Sequence, residues 1–160
     1  MTEGNSEAQP ELEDILRRLE DAHQRLTAAV ERIEGDEFAR ERQGGESVKR
    51  LLERTADDIN FYYGSLSARA LNLPQPPCLQ RAEFFSIREA SMSLQVAHRR
   101  FTKLLHDLIP GDLERVANSP EHGSYTLRQV LELTAGFYRE QERRIDVIAG
   151  ESSPAKSSPV

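Results

Sequence analysis

The sequence predicts an all-α chain folded as an antiparallel up-and-down four-helix bundle. Three observations predict it. Strong helix formers recur in long stretches. Apolar residues fall at alternating steps of three and four in four separate segments, which keeps them on one face of each helix. The breakers concentrate between those segments rather than inside them.

The first helix is expected from about Glu11 to about Ile33, with the stripe Leu12, Ile15, Leu16, Leu19, Ala22, Leu26, Ala29, Val30 and Ile33. Gly35-Asp36 ends it, and the charged stretch Glu37 to Glu46 closes around Gly44-Gly45. Ser47 is placed to N-cap the second helix, whose stripe is Val48, Leu51, Leu52, Thr55, Ile59, Tyr62 and Leu66. Asn72 to Pro77 cannot continue it, because proline lacks the donor and restricts its neighbour.

The third helix is expected to start near Glu83 and to present Phe84 or Phe85, Ile87, Met92, Leu94, Ala97, Phe101, Leu104, Leu105 and Leu108. Pro110-Gly111 breaks it, Asp112 to Val116 forms a short helical turn, and Asn118 to Ser124 is a loop. Thr126 followed by Gln129 is a capping-box pattern that opens the fourth helix. Its stripe runs through Leu127, Val130, Leu131, Thr134, Phe137, Tyr138, Gln141, Ile145 and Ile148, and Gly150 ends it. Residues 1–10 read as a disordered leader and 151–160 as a disordered tail around one bundle over 11–150. Neither end holds enough apolar surface to offset the entropy of ordering.

The 160 residues suit one domain, and the net charge of −6 disfavours a phosphate backbone as partner. No stretch is long and apolar enough to span a membrane, and Met1 to Pro10 lacks the basic start and apolar run of a signal peptide. A single cysteine, Cys78, permits no internal disulfide and fits a cytoplasmic setting.

Few residues invite chemistry. His98 and His106 lie eight apart, about 12 Å along a helix, and cannot share one metal. His23 and His122 add no ligand-spaced pair, so all four histidines read as structural or surface residues and no metal is expected. Cys78 reads as an inert loop thiol, although Arg81 lies three residues on. Glu53, Asp57 and Asp58 read as solvated charges on the second helix, and Tyr62, Tyr63 and Tyr138 as core or rim aromatics. Arg139, Arg143 and Arg144 beside Glu140 and Glu142 read as a salt-bridged surface.

Two segments carry a family resemblance: Ser47-Val48-Lys49-Arg50-Leu51-Leu52, and the stretch from Leu113 through Asn118 to Leu131 and on to Ile145. With the order of four helices, they resemble the DinB-like (DinB/YfiT-type) superfamily of four-helix bundles over residues 11–150. Members of that superfamily often hold a divalent metal with three histidines, one on the second helix and two on the fourth. Some are thiol-dependent transferases or isomerases.

The resemblance places Arg54 at the second-helix ligand position, Phe137 and Gln141 at the paired fourth-helix positions, and Leu133 one turn earlier. Glu46 stands where a tryptophan is usual. Arginine stays protonated, phenylalanine has no donor atom and glutamine is a poor zinc ligand.

The expectation is therefore a DinB-like domain without the family's metal site and without a cofactor, not an enzyme. The residual cleft near Arg54, Phe137 and Gln141 would bind a small molecule, such as an acid forked onto Arg54, or, in a degenerate bundle, nothing. Two other readings stay open: a transferase or isomerase of the DinB-like class, and a protein-interaction or homo-oligomerisation module. Neither nucleic acid nor membrane is expected as partner.

Overall fold

The computed structural model describes residues 2–42, 45–74, 80–121 and 123–152, with side chains from Gln9 to Gly150. The chain is mostly helical, with four long helical segments and one small hairpin. Helix α1 spans Thr2–Glu31, and a single turn, α2, spans Gly35–Phe38. The second long segment is continuous but changes pitch: α3 (Val48–Asp58) passes through a π-helical turn, Ile59–Tyr63, into α4 (Gly64–Ala70). Helix α5 spans Ile87–Lys103 and α6 spans Leu127–Ser152. Between them lie a 3-10 turn, Pro110–Glu114, and the antiparallel strands β1 (Val116–Ser119) and β2 (Gly123–Thr126). No helix of the described residues is long and apolar enough to cross a membrane.

Helix α1 packs against α5 and α6, while α3 packs against α5 and α6. One core fills the space between them, and every stripe residue of α1 except half-buried Leu16 is buried in it. The two predicted caps form. Ser47 Oγ accepts the Arg50 N–H at 3.1 Å. Thr126 Oγ1 accepts the Gln129 N–H at 3.1 Å while the Gln129 side chain accepts the Thr126 N–H at 2.9 Å. Each replaces a donor interaction that the first turn of a helix cannot make for itself. Asn72, at φ 56°, closes α4, with the Leu73 N–H reaching back to the Ala68 carbonyl at 2.9 Å.

Several expectations change. Helical backbone extends forward through residues 2–10 with Pro10 inside it, and α6 continues past Gly150 to Ser152. Residues 153–160 lie outside the described set. The third helix begins at Ile87, because Ser86 caps it through the Glu89 N–H and Glu89 returns the bond to the Phe85 N–H. Of the adjacent phenylalanines, Phe84 is buried and Phe85 is 79 % exposed. Met92, expected on the stripe, faces solvent. Phe38, inside the charged stretch, is buried.

The expected loop at 118–124 is largely hairpin. Its register pairs Ala117 with Tyr125 and Ser119 with Gly123, where φ is +89°. Ala117 is buried against α4, and Arg69 donates to the Asn118 carbonyl at 3.1 Å.

Glu53 is not a solvated charge. It is 4 % exposed, pairs with Lys49, and accepts the Phe84 N–H at 2.8 Å. Asp57 accepts the Ala82 N–H at 2.8 Å. One turn of α3 thus supplies two carboxylates that satisfy the backbone of the extended segment leading into α5, and that segment seats Phe84 in the core.

Candidate functional site

A cleft of ≈ 760 Å³ opens between α3 and α6. Helix α3 contributes Arg54, Thr55 and Asp58, and the π-turn contributes Tyr63. Strand β2 contributes Tyr125, and α6 presents Leu133, Gly136, Phe137, Glu140, Gln141 and Arg144. Arg54, Phe137 and Gln141, the three positions singled out in the sequence, therefore border one cavity, and Leu133 borders it too. A π-turn inserts one residue into the helical repeat and rotates the succeeding turns about the axis. Here the turn includes Tyr63, whose ring meets Phe137 at 5.0 Å between centroids.

The buried lining residues of the cleft, Thr55 and Gln141, are polar; aromatic side chains wall it and charged groups stand at its rim. Gln141 is buried, with its Oε1 3.5 Å from the Thr55 hydroxyl, which itself donates to the Leu51 carbonyl at 2.7 Å. Half-exposed Arg54 pairs with Glu46. Burial, and then the nearby Tyr62 and Asp58, push the Tyr63 hydroxyl up to about 12, so it stays protonated. Burial also raises the Asp58 carboxyl, with Arg54 and Arg81 opposing and Asp57 reinforcing the shift. The Arg143 hydrogen bond, with help from Arg144, holds Glu140 down at about 2, as the salt-bridged surface reading of this helix anticipates. None of the lining residues is a histidine or a cysteine.

Compared with family models, with curated proteins and with solved structures, the chain matches none.

A second cluster lies where α1, α5 and α6 meet. His98 on α5 places Nε2 2.8 Å from Glu20 Oε2 and Nδ1 2.9 Å from the Tyr138 hydroxyl. The His23 ring stacks on His98 with centroids 3.7 Å apart. Both histidines and Tyr138 are buried, whereas the Glu20 side chain is 49 % exposed. Desolvation by burial, and then the charge of His98, lower His23 to about 4, against the pull of Glu20. Burial lowers His98 as well, with Glu20 opposing. Burial raises Glu20, but the His98 hydrogen bond and the histidine charges outweigh it and leave its carboxyl below the ordinary range.

The histidine-by-histidine reading missed this cluster. Its local signal is the Glu20-x-x-His23 spacing on an apolar-striped helix, which puts both side chains on one face. His106 is exposed and pairs with neighbouring Asp107, away from the cluster. His122 and Cys78 lie outside the described residues.

Proposed function

We propose that the chain is a DinB-like, antiparallel up-and-down four-helix bundle that uses the family's former metal position to bind a small organic acid. The observation that carries this reading is the shared cleft of Arg54, Phe137 and Gln141, drawn from the two helices that the resemblance assigns. A site of ≈ 760 Å³ walled by Tyr63, Tyr125, Leu133 and Phe137 suits a flat apolar body. Arg54 has guanidinium donors beyond the one on Glu46, and a guanidinium forks onto a carboxylate. Binding rather than thiol transfer fits a lining that offers no cysteine or histidine among the described residues.

The test uses three probes of one shape: phenylacetate, phenylacetamide and phenethylamine, titrated calorimetrically into the full chain. Phenylacetate should bind and the amide should not, and Arg54→Met should weaken phenylacetate at least tenfold. Silence from all three, or binding of the amine alone through Asp58 and Glu132, both of which line the cleft, would defeat the reading.

A further inference from the structure

We propose that Glu20, His23 and His98 form a binding site for a divalent transition-metal ion of the zinc class. The site lies at the α1–α5 contact, apart from the α3–α6 cleft, and does not depend on what that cleft binds. One donor atom from each of the three residues lies within 4.8 Å of the others. Two imidazole nitrogens and a carboxylate oxygen form the three-ligand set that leaves zinc a fourth position for water.

The independent observation is His23 Nε2. It is buried, on a side chain that is 7 % exposed, and no described group hydrogen-bonds to it. A buried ring nitrogen without a hydrogen-bond partner is costly, and a metal ion bound to its lone pair satisfies it.

His98 is prepared in a complementary way. Its Nε2 lies 2.8 Å from Glu20 Oε2, so that an N–H on this nitrogen donates to the carboxylate. A metal ion entering between them replaces that proton, which moves to Nδ1, where the Tyr138 oxygen lies 2.9 Å away to accept it. Net charge on the imidazole is unchanged. The half-exposed Glu20 gives the ion a path from solvent.

One movement is required. The rings are stacked at 6° from parallel, so their lone pairs run side by side rather than towards one point. Bonds of about 2.1 Å in a tetrahedral set need donors about 3.4 Å apart. His23 must tilt out of the stack to deliver Nε2.

The test uses untagged full-length protein stripped with a chelator and titrated with Co(II), followed by visible absorption, then with Zn(II) by calorimetry. One ion per chain should bind, with the intense visible bands of a tetrahedral site, and zinc should raise the melting midpoint. Glu20→Gln and His23→Gln should each weaken binding at least tenfold, while His106→Ala should leave it unchanged. Should His23→Gln fail to fold, Glu20→Gln carries the test, because its side chain is half exposed. Absence of binding to the wild type, or an unchanged affinity in either folded ligand variant, would overturn the site.

Discussion

The imidazoles of His23 and His98 lie face to face at 3.7 Å, one contributed by α1 and the other by α5. Such a stack holds two neutral rings well and two cations badly. The groups facing it are Glu20 from α1 and Tyr138 from α6.

That contact predicts acid sensitivity of the metal-free protein. His23 titrates at about 4 in the folded chain against 6.5 in the unfolded chain, so the unfolded state binds more protons between those values. Its share of stability is present above pH 6.5 and drains away as the pH falls towards 4. His98 is shifted the same way, and the carboxyl of Glu20 is held below the ordinary carboxylate range by the His98 hydrogen bond and the histidine charges, against burial. The expected loss from His23 is on the order of 2–3 kcal/mol. Urea unfolding at pH 7 and at pH 4.5, with chelator present, measures it. His23→Gln should flatten the pH dependence, and an equally steep slope in that variant would place the sensitivity elsewhere.

Glu53 is the next test, because it ties α3 to the segment before α5. Removing its carboxylate strands Lys49 and leaves the Phe84 N–H without its acceptor in a buried setting. Leaving a buried N–H without its acceptor costs about 1–3 kcal/mol. Glu53→Ala should lose an amount in that range by urea unfolding. Arg50→Ala, whose contact with Glu53 is 3.9 Å and exposed, should lose less than about 1 kcal/mol. Equal losses in the two variants would contradict the role given to Glu53.

Two glycines inside helices should respond to alanine with opposite signs. A Cβ on Gly64 would sit 2.9 Å from the Ile59 carbonyl, the same oxygen that accepts the Gly64 N–H to close the π-turn. Displacing that backbone costs about 1–3 kcal/mol, against roughly 1 kcal/mol returned by helix propensity. At Gly136 the added methyl meets only the tip of Arg139 at 3.9 Å, an ordinary contact. Gly64→Ala should therefore lower the melting midpoint, and Gly136→Ala should raise it by the equivalent of about 1 kcal/mol. A rise in both would mean that the π-turn relaxes to α-helix without penalty.

What could be read from the sequence was local. Ser47 and the Thr126–Gln129 pair announce helix starts because a cap is defined within three residues. The stripe of α1 is legible because burial repeats along one face. The hairpin is not, because Val116 to Ser119 lacks alternation and is held by partners on α4 and across the turn. Phe84 and Phe85 are indistinguishable by type, and the carboxylate on α3 that bonds the Phe84 backbone decides between them. The same limit hid the histidine cluster. His23 and His98 stand 75 positions apart, and only packing brings them together. The Arg54, Phe137 and Gln141 cleft was approached through a resemblance, because no spacing rule links position 54 to position 141.

The proposed DinB-like register can be tested by building the metal site that it implies. Arg54→His, Phe137→His and Gln141→His together should create a zinc site, made in a Glu20→Gln, His23→Gln background so that the α1–α5 cluster does not compete. Positions 137 and 141 are one turn apart on α6, and Arg54 faces the same cleft from α3. Three neutral imidazoles and a water complete a tetrahedral set. Arg54→His removes a half-exposed ion pair and costs less than about 1 kcal/mol. Phe137 is only half buried, so its loss should cost less than the ~3 kcal/mol of a full large-to-small core change. Zinc then recovers stability by mass action, about 2.7 kcal/mol at a hundredfold excess over its dissociation constant. The measurement is a thermal melt with and without zinc, against the same background lacking the three histidines. A folded triple variant that gains nothing from zinc would mean that the three side chains do not converge on one point, and the DinB-like register of α3 against α6 would fall with it.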